Sequence, residues 1–371
     1  MHPLDYKGCI FNALREVECM NVVEQYNLTL QIEVLKEQSA ETLARLCNLV
    51  EGSGTSDCVE LLKAYSHIVN TELYLATSIH ELDILKSDMV KLENTIKESL
   101  AQASHDISDI KETGDVQAIE SYSSEDFDKA LERTIDFLTF NKNISSTPRA
   151  VILGGQSGAG KTTIHRVKML ESKGNYIVID GDTYRAQHPY FRELQEKYGV
   201  NSVDYTKMFA GKMVEAVIDK LSSLKYNLII EGTLRSAAVP INTATLLKSK
   251  GYTVDFCLIA TKPELSYLTT QLRYLEMMIV DPLQARATPK DHHDGIVKSL
   301  VSNSNELEQS GLFESIQVYK RDLEQVYNSK LSTESVGTVV DKILFGPWTS
   351  DEYALLEVSK SQEQELREKL P

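Results

Sequence analysis

The sequence predicts an α/β fold with a mostly parallel sheet and helices on both faces, preceded by an all-α helical bundle. Three observations lead to this prediction. Short apolar runs alternate with long helical stretches after Ala150, which is typical of a parallel sheet. A glycine-rich motif lies between the first apolar run and the helix that follows it. Residues 22–100 contain no proline and repeat apolar side chains at helical spacing.

The helical bundle is predicted over residues 1–100. Leu28, Ile32 and Leu35 illustrate the helical spacing of its apolar residues. The predicted parts of the bundle are a helix from 22 to 50, a loop at 52–56, a short helix at 57–65, and one or two long helices over 71–100. Antiparallel helices joined by short loops bury their apolar faces against one another, so a bundle or a helical hairpin fits this pattern.

A polar and acidic stretch, residues 101–123, is predicted to be a linker. The second domain is predicted over residues 124–371 and begins with a helix that runs to about residue 140. The candidate strands are 150–153, 176–180, 227–230, 254–259 and 316–319. Because ligands of parallel sheets bind beyond the carboxyl ends of the strands, functional residues are expected there.

The glycine-rich motif matches the phosphate-binding pattern G-x-x-x-x-G-K-[ST] in full. Its residues are Gly155, Gln156, Ser157, Gly158, Ala159, Gly160, Lys161 and Thr162. In such a loop, backbone N–H groups surround a phosphate chain and the helix N-terminus adds partial positive charge. Lys161 can reach the terminal phosphates, and the Thr162 hydroxyl, followed by Thr163, can hold Mg²⁺. A glycine-rich turn without a ligand fits the flanking strand and helix poorly, so ATP and Mg²⁺ are predicted to bind here.

Carboxylates follow two further candidate strands. Asp180 and Asp182 flank a glycine after the second strand, where a carboxylate can accept a proton from an attacking hydroxyl or hold Mg²⁺. Asp182 could instead be only a helix N-cap. Glu231, Thr233 and Arg235 follow the third strand and are candidate substrate ligands, although an ordinary strand exit is the alternative.

Two arginines, Arg273 and Arg286, lie on either side of a predicted lid. Guanidinium groups stabilise the charge that develops on a phosphoryl group during transfer, so both are candidate catalytic residues. The adjacent His292 and His293 are interpreted as lid or surface residues, because neighbouring helical side chains point in different directions.

Charge is spread unevenly along the chain. Residues 1–122 carry 9 basic and 21 acidic side chains, a net charge of −12 out of −15 for the whole chain. Such a segment is a poor nucleic-acid binder. It could lie against a basic phosphate site or form a solvated helical surface, and charge alone favours the solvated surface.

Five scattered cysteines without a C-x-x-C pair predict reduced thiols and argue against a zinc site. The sequence shows no apolar run of about 18 residues, and its N-terminus lacks the basic and apolar regions of a signal peptide. We therefore expect a cytoplasmic protein without a membrane segment.

Six sequence runs after residue 122 closely resemble the zeta-toxin family, in particular its PezT-type branch. They are GGQSGAGKTTIHR at 154–166, VIDGDTYRAQHP at 178–189, DYTKMFAGKMVE at 204–215, NLIIEGTLR at 227–235, IATKPELSYL at 259–268 and QARATPKDHHD at 284–294. The resemblance implies a P-loop kinase domain that phosphorylates the 3′-hydroxyl of UDP-N-acetylglucosamine with ATP.

The same resemblance implies roles for individual residues. Asp182 would be the general base for the sugar hydroxyl, and Lys161 would bind the ATP phosphates. Glu215 and Thr233 would contact the UDP-sugar. Arg273 and Arg286 would hold the transferring phosphate, and Thr162 would support Mg²⁺.

The front segment from Val23 to Leu49 resembles the C-terminal helical part of a PezA-type antitoxin. Residues 1–21 are too short for the DNA-binding domain that begins such antitoxins, so autoregulatory DNA binding is not expected. The resemblance implies an antitoxin segment fused to its own toxin and holding it inhibited, in cis or from a second copy.

Three alternatives remain open at this stage. The kinase domain could phosphorylate a hydroxyl of another small molecule. A regulatory GTPase is suggested faintly by Thr261-Lys262-Pro263-Glu264, in which glutamate replaces the aspartate of a guanine-binding motif. Residues 1–100 could also be only an oligomerisation bundle of a homo-oligomer.

Overall fold

The computed structural model describes residues 21–53, 56–104, 119–283 and 285–370. Cys9, Cys19 and most of the predicted linker lie outside these residues. Cys47, Cys58 and Cys257 are buried and form no disulfide with one another. No helix in these four ranges has the length and apolar content needed to cross a membrane.

The front part of the chain is helical. Its elements are α1 (Val22–Ser53), α2 (Ser56–His67), a π-helical turn (Ile68–Glu72), the short α3 (Leu73–Leu75) and α4 (Ile79–Ser104). Asn21 caps α1, because its side-chain oxygen accepts hydrogen bonds from the backbone N–H groups of Val23 and Glu24. The predicted helical bundle is thus confirmed, and α4 continues four residues into the stretch predicted as a linker.

A six-stranded sheet forms the centre of the second part. Its strands are β1 (Arg149–Gly154), β2 (Ile177–Ile179), β3 (Leu228–Glu231), β4 (Thr253–Ile259), β5 (Ile316–Tyr319) and β6 (Gln325–Asn328), in the order β2-β3-β1-β4-β5-β6. All neighbouring pairs are parallel except β5 with β6, which is antiparallel. The five predicted strands are confirmed, and β6 was not predicted.

Helices cover the sheet and complete the α/β fold. They are α5 (Ser124–Thr139), α6 (Lys161–Glu171), α7 (Phe191–Tyr198), α8 (Ser202–Ser223), α9 (Ala238–Ser249), α10 (Pro263–Val280), α11 (Lys290–Ser310), α12 (Val336–Phe345) and α13 (Ser350–Lys369). Short 3₁₀ turns lie at Thr183–Gln187 and Gly199–Asn201. The P-loop kinase fold predicted from the sequence is confirmed.

Helix α1 is enclosed on every side. No side chain between Gln25 and Ala44 is exposed. Leu28 and Ile32 belong to the apolar core that α1 shares with α2 and α4. On another face, apolar residues of α1 pack against α10 and α13 of the kinase part; the main contributors to this second cluster are Tyr26, Leu30, Val34, Leu265, Leu272, Met277 and Leu355. A helix with apolar residues on two of its faces is stabilised mainly by burial of both faces.

Candidate active site

The phosphate-binding loop connects β1 to α6, as its motif predicts. Gly155 and Gly158 have φ values of +142° and +72°. A Cβ atom would lie 2.4 Å from the Ile259 carbonyl oxygen at Gly155 and 2.0 Å from the Ser266 carbonyl oxygen at Gly158. Only glycine fits both positions, which lets the loop close tightly over the N-terminus of α6.

The two side chains that end the motif face the cleft. Lys161 is buried and lies 3.3 Å from the Gly155 carbonyl oxygen and 3.6 Å from the Glu231 carboxylate. The Thr162 hydroxyl donates a 2.8 Å hydrogen bond to a carboxylate oxygen of Glu33, a residue of α1. The two side chains predicted to bind phosphate and metal thus face the same cleft, and α1 contacts one of them directly.

The carboxylates predicted at the strand ends meet the same cleft. Asp180, Asp182 and Glu231 line one cavity together with Lys161 and Thr162. Asp182 accepts a 2.9 Å hydrogen bond from Arg185 and lies 3.4 Å from Arg286. Partial desolvation raises the pKa of Asp182, but Arg286 and Arg185 outweigh it and hold that pKa below its ordinary value.

Arg273 and Arg286, the predicted lid arginines, converge on one carboxylate of α1. Glu37 lies 3.4 Å from Arg273 through one oxygen and 3.0 Å from Arg286 through the other. Arg273 also lies 4.0 Å from Glu33. Glu37 raises the pKa of Arg273, so both guanidinium groups remain charged at every pH at which the protein functions.

Lys36 lies on the same face of α1 as Glu33 and Glu37 and contacts a carboxylate of the cleft. Its ammonium lies 2.6 Å from the Asp180 carboxylate and 5.6 Å from the centre of the Tyr74 ring. Burial lowers the pKa of Lys36, but Asp180 more than compensates and holds that pKa above its ordinary value. The pKa of Asp180 is lowered by Lys36 in turn, against the effect of burial. Both partners are thus charged.

The face of α1 formed by Glu33, Lys36 and Glu37 is here called the plug face. These residues are spaced i, i+3 and i+4, so they lie side by side on one surface of the helix. Two carboxylates meet the cations that would hold phosphates, and one ammonium meets a carboxylate that could hold a metal. The charges of the plug face are complementary to those of the phosphate-binding cleft.

Below the plug face lies a buried group of titratable side chains. Glu231 is 3.3 Å from His165 Nε2, and the His165 ring meets the Tyr74 ring edge-on at 5.5 Å. Burial and the nearby Asp180 carboxylate raise the pKa of Glu231 to about 7. Burial also holds the pKa of His165 well below its ordinary value, so the imidazole is neutral.

Two larger cavities open beyond the carboxyl ends of β2 and β3. One, of about 330 Å³, is lined by residues of the β2 and β3 exits and by the charged side chains of Arg185 and Lys207. The other, of about 440 Å³, has a mostly apolar wall that includes Val239, Pro240 and Phe256. Thr233 lines both cavities and also the phosphate-loop cavity.

The remaining predicted substrate residues are placed differently. Arg235 is exposed and lines the apolar cavity. Glu215 is exposed on α8 and lines neither cavity, although its neighbour Val214 lines the charged one. His293 was interpreted as a lid or surface residue, and this was wrong. It is buried, and its Nε2 lies 2.9 Å from the Ser266 hydroxyl, because α11 packs that edge against α10.

The structure assigns a structural role to the segment that faintly suggested a guanine-binding motif. The Thr261 hydroxyl donates to the Ala159 carbonyl oxygen at 3.0 Å, and the Lys262 ammonium donates to the Gly346 carbonyl oxygen at 2.7 Å. Glu264 is exposed. These side chains fasten the phosphate loop and the C-terminal region to α10.

No three His, Cys, Asp or Glu side chains in the described part of the chain gather as ligands around a metal position. Mg²⁺ in phosphoryl-transfer sites does not need three protein ligands, because it keeps several waters and takes one or two protein oxygens plus phosphate oxygens. The Thr162 hydroxyl and the carboxylates of Asp180 and Asp182 line one cavity and supply such oxygens. The donor set therefore fits Mg²⁺.

Several residues of the site could not be identified from the motifs. Lys36, Glu33 and Glu37 belong to α1, and the signals for them were the excess of acidic residues in the front segment and its resemblance to an antitoxin, neither of which singles out these three residues. Arg185 contacts Asp182, and Arg321 lies beside the phosphate loop, with its Cγ 3.6 Å from where a Cβ of Gly160 would be. Neither arginine belongs to a spacing pattern that marks function.

Comparisons with known families divide the chain in two. The family described as zeta toxin matches residues 133–332, and the family described as bacterial epsilon antitoxin matches residues 24–99. The second match covers α1 to α4 almost completely. Both resemblances predicted from the sequence are confirmed.

Individual relatives match the second part of the chain. The toxin PezT of Streptococcus pneumoniae is 55% identical over 251 residues, which are 68% of this chain and 99% of that protein. The toxin zeta of Streptococcus pyogenes is 41% identical over 218 residues, 59% of this chain and 76% of that protein. A chain solved in the characterization of the PezAT chromosomal toxin–antitoxin system of S. pneumoniae superposes with a TM-score of 0.64 at 52% identity, covering 67% of this chain and 100% of that chain.

The raised pKa of Glu231 predicts a pH-dependent stability. Its pKa is about 7 in the folded chain against 4.5 in the unfolded chain, so the folded chain binds the extra proton between these values. The contribution of Glu231 to stability should therefore be lost as pH rises from about 4.5 to 7, and Glu231→Gln should remove this contribution and make the slope of stability against pH more positive. Melting temperatures measured across this range test it. Glu193→Gln, at an exposed position on α7, is the control and should keep the slope of the unaltered chain; an identical slope in Glu231→Gln contradicts the prediction.

Proposed function

This chain belongs to the zeta-toxin family, and we propose that it is a self-restrained kinase that transfers the γ-phosphoryl group of ATP to the 3′-hydroxyl of UDP-N-acetylglucosamine. In this proposal α1 to α4 act as an antitoxin fused to the enzyme. The observation that carries the proposal is the plug face, whose three charged residues contact the groups that would bind Mg²⁺ and the phosphates.

The chemistry proposed for the open site follows from the placement of its residues. Lys161 and the backbone of the phosphate loop bind the phosphates of ATP. Arg273 and Arg286 stabilise the negative charge on the oxygens of the transferring group. Asp182, at the β2 exit, accepts the proton of the attacking hydroxyl. Bound Mg²⁺ would neutralise charge on the β- and γ-phosphates, and Thr162 with Asp180 would hold it.

The low pKa of Asp182 is compatible with this role. In a loose phosphoryl-transfer transition state the attacking hydroxyl keeps most of its proton until late, so its base orients the nucleophile more than it activates it. A carboxylate that stays ionised beside Arg286 and Arg185 can accept that hydrogen bond throughout. Asp182 is therefore placed to orient the attacking hydroxyl and does not need to be a strong base.

The two cavities beside Thr233 support a nucleotide-sugar acceptor. A diphosphate needs cations, and Arg185 and Lys207 supply them in the charged cavity, which the carboxylates of Asp180, Asp182 and Glu231 also line. A pyrimidine base needs an apolar wall with a few polar groups at its edge, and the apolar cavity offers Phe256 and Pro240 together with Arg235. Since Thr233 lines both, one extended acceptor could span them with its sugar near Asp182.

Inhibition in this proposal is intramolecular. The plug face and ATP cannot occupy Arg273, Arg286 and Thr162 at the same time. A tether keeps the two parts at an effective concentration on the order of millimolar, so a modest intrinsic affinity is enough to keep the cleft closed. The same contacts could be made by a second copy of the chain, and the oligomeric state in solution decides between the two.

The acceptor is tested with a variant that opens the cleft. The chain carrying Glu33→Gln, Lys36→Met and Glu37→Gln is incubated with Mg·ATP and a panel of hydroxyl compounds, and products are assigned by phosphorus NMR. We expect phosphate on the 3′-hydroxyl of UDP-N-acetylglucosamine and little transfer to free sugars or antibiotics. Transfer to another hydroxyl class in preference to the nucleotide sugar would reject the proposed substrate while leaving a kinase.

Loss of Glu37 alone should release activity. Glu37→Ala removes the carboxylate that holds both lid arginines, and each charge-assisted hydrogen bond contributes about 1.5–3 kcal/mol. Transfer by the full chain should therefore rise on the order of 10- to 100-fold, since 1.4 kcal/mol is a factor of ten. The matched control is Glu51→Gln, because Glu51 is half exposed and pairs with Arg133 of the kinase part outside the cleft. Its effect should be less than about fivefold, because exposed pairs contribute at most about 1 kcal/mol; equal effects of the two variants argue against the plug face.

Asp182→Asn should separate binding from transfer. In the cleft-opened variant it removes the proton acceptor but no phosphate ligand, so turnover should fall by a factor on the order of 10² to 10⁴. The dissociation constant for Mg·ATP, measured by calorimetry, should change little. A variant that keeps its turnover removes Asp182 from the catalytic role.

A further inference from the structure

Tyr26 lies near the carboxyl end of β5, whereas the two cavities beside Thr233 lie beyond the ends of β2 and β3. The Tyr26 side chain is 3% exposed. The Arg321 guanidinium lies over its ring, 4.5 Å from the ring centre. The Tyr26 hydroxyl lies 3.5 Å from the Thr269 hydroxyl oxygen, to which Arg321 also donates a 3.0 Å hydrogen bond. The aromatic ring of Tyr26 thus contacts the planar guanidinium of Arg321, and the Thr269 hydroxyl lies near the edge of both groups.

Arg321 also lies close to the phosphate loop. Arg321 lies just past the carboxyl end of β5, at the sheet edge where ligands of parallel sheets bind. Its Cγ and Nε lie 3.6 and 3.8 Å from the position of a Cβ at Gly160. Gly160 immediately precedes Lys161 at the start of α6. Arg321 therefore lies beside the phosphate loop, on the opposite side of β1 from Asp182, which follows β2.

Residues of helix α1 contact the cleft in the order in which they follow one another along the helix. Tyr26 meets Arg321, Thr29 lies 3.3 Å from the Thr163 hydroxyl, Glu33 meets Thr162, and Glu37 meets the lid arginines. From Tyr26 to Glu37 the helix advances about 16 Å at 1.5 Å per residue. The order is aromatic ring, hydroxyl, carboxylate, carboxylate. A nucleoside triphosphate presents base, ribose, inner phosphates and terminal phosphate in the same order.

We propose that Arg321 and Thr269 form the nucleobase subsite of the kinase, and that the Tyr26 ring occupies this subsite in the closed chain. The guanidinium plane stacks on the base, and the Thr269 hydroxyl bonds to its edge. A planar guanidinium stacks on any aromatic ring, so this contact adds affinity for nucleotides over base-free phosphates.

The subsite rests on the proposed kinase function only in requiring that ATP enters the cleft. It is tested in an open-cleft variant of the full chain carrying Tyr26→Ala, Glu33→Gln, Lys36→Met and Glu37→Gln. Calorimetry gives the dissociation constants of Mg·ATP and of Mg·tripolyphosphate, which has phosphates but no base. Arg321→Gln should weaken ATP on the order of 3- to 30-fold and leave tripolyphosphate within a factor of two, because only ATP loses a stacking partner.

Two further variants make this test robust. Lys320→Ala removes a neighbouring cation that pairs with Asp322 and Glu324, and it should leave both constants unchanged. Thr269→Val removes the edge hydroxyl at nearly constant volume and should again weaken ATP selectively, which covers the case in which Arg321→Gln fails to fold.

The outcomes separate this subsite from the proposed function. If Arg321→Gln weakens the binding of Mg·ATP and of Mg·tripolyphosphate equally, Arg321 is a phosphate ligand and the assignment is overturned. The assignment is also overturned if the ratio of the two dissociation constants is unchanged in both Arg321→Gln and Thr269→Val, or if the open-cleft variant binds no ATP. A selective loss of ATP with no transfer to any sugar nucleotide supports the subsite and counts only against the proposed acceptor.

Discussion

The contact on which this structure depends is the fit between the plug face and the phosphate-binding cleft. A cleft built for Mg·ATP collects cations and carboxylates at fixed positions, and that arrangement is costly to bury without partners. Glu33, Lys36 and Glu37 supply the partners at distances of 2.6 to 3.4 Å to Asp180, Thr162 and the lid arginines. The closed chain thereby satisfies a site whose charges would otherwise require nucleotide, metal or water.

Ion pairs of this kind select a position more than they supply affinity, since removing charges from water offsets much of their attraction. Apolar packing on the other faces of α1 adds to its affinity for the kinase part. Tyr26, Leu30 and Val34 are buried against α10 and α13, and Gln362 donates a 2.9 Å hydrogen bond to Asn27. Because α10 also carries Arg273, the helix that anchors α1 also orients one of the lid arginines.

The sequence predicted the parts of the site that obey a local rule. The phosphate loop has a fixed spacing, and Asp180, Asp182 and Glu231 follow apolar runs that could only be inner strands. Strand β6 was not predicted because its four residues alternate weakly and lie at an antiparallel edge. The plug face was not predicted because Glu33, Lys36 and Glu37 at helical spacing are also typical of a solvated helix surface. A plug face differs from a solvated helix surface only in the residues that it contacts, and these residues lie about 130 to 250 positions away along the chain.

The closed arrangement also contains contacts that work against it. Arg166 of α6 is completely buried, and its one hydrogen bond among the described residues is to the Ala76 carbonyl oxygen, 2.7 Å away in the antitoxin-like part. Burial lowers the pKa of Arg166 to about 10 and raises that of Glu231 to about 7. Both shifts show that these groups lie in the closed chain without full compensation for their lost hydration. The plug face thus pairs its charges inside the cleft, whereas Arg166 and Glu231 behind it are incompletely compensated, and this difference lowers the net stability of the closed arrangement.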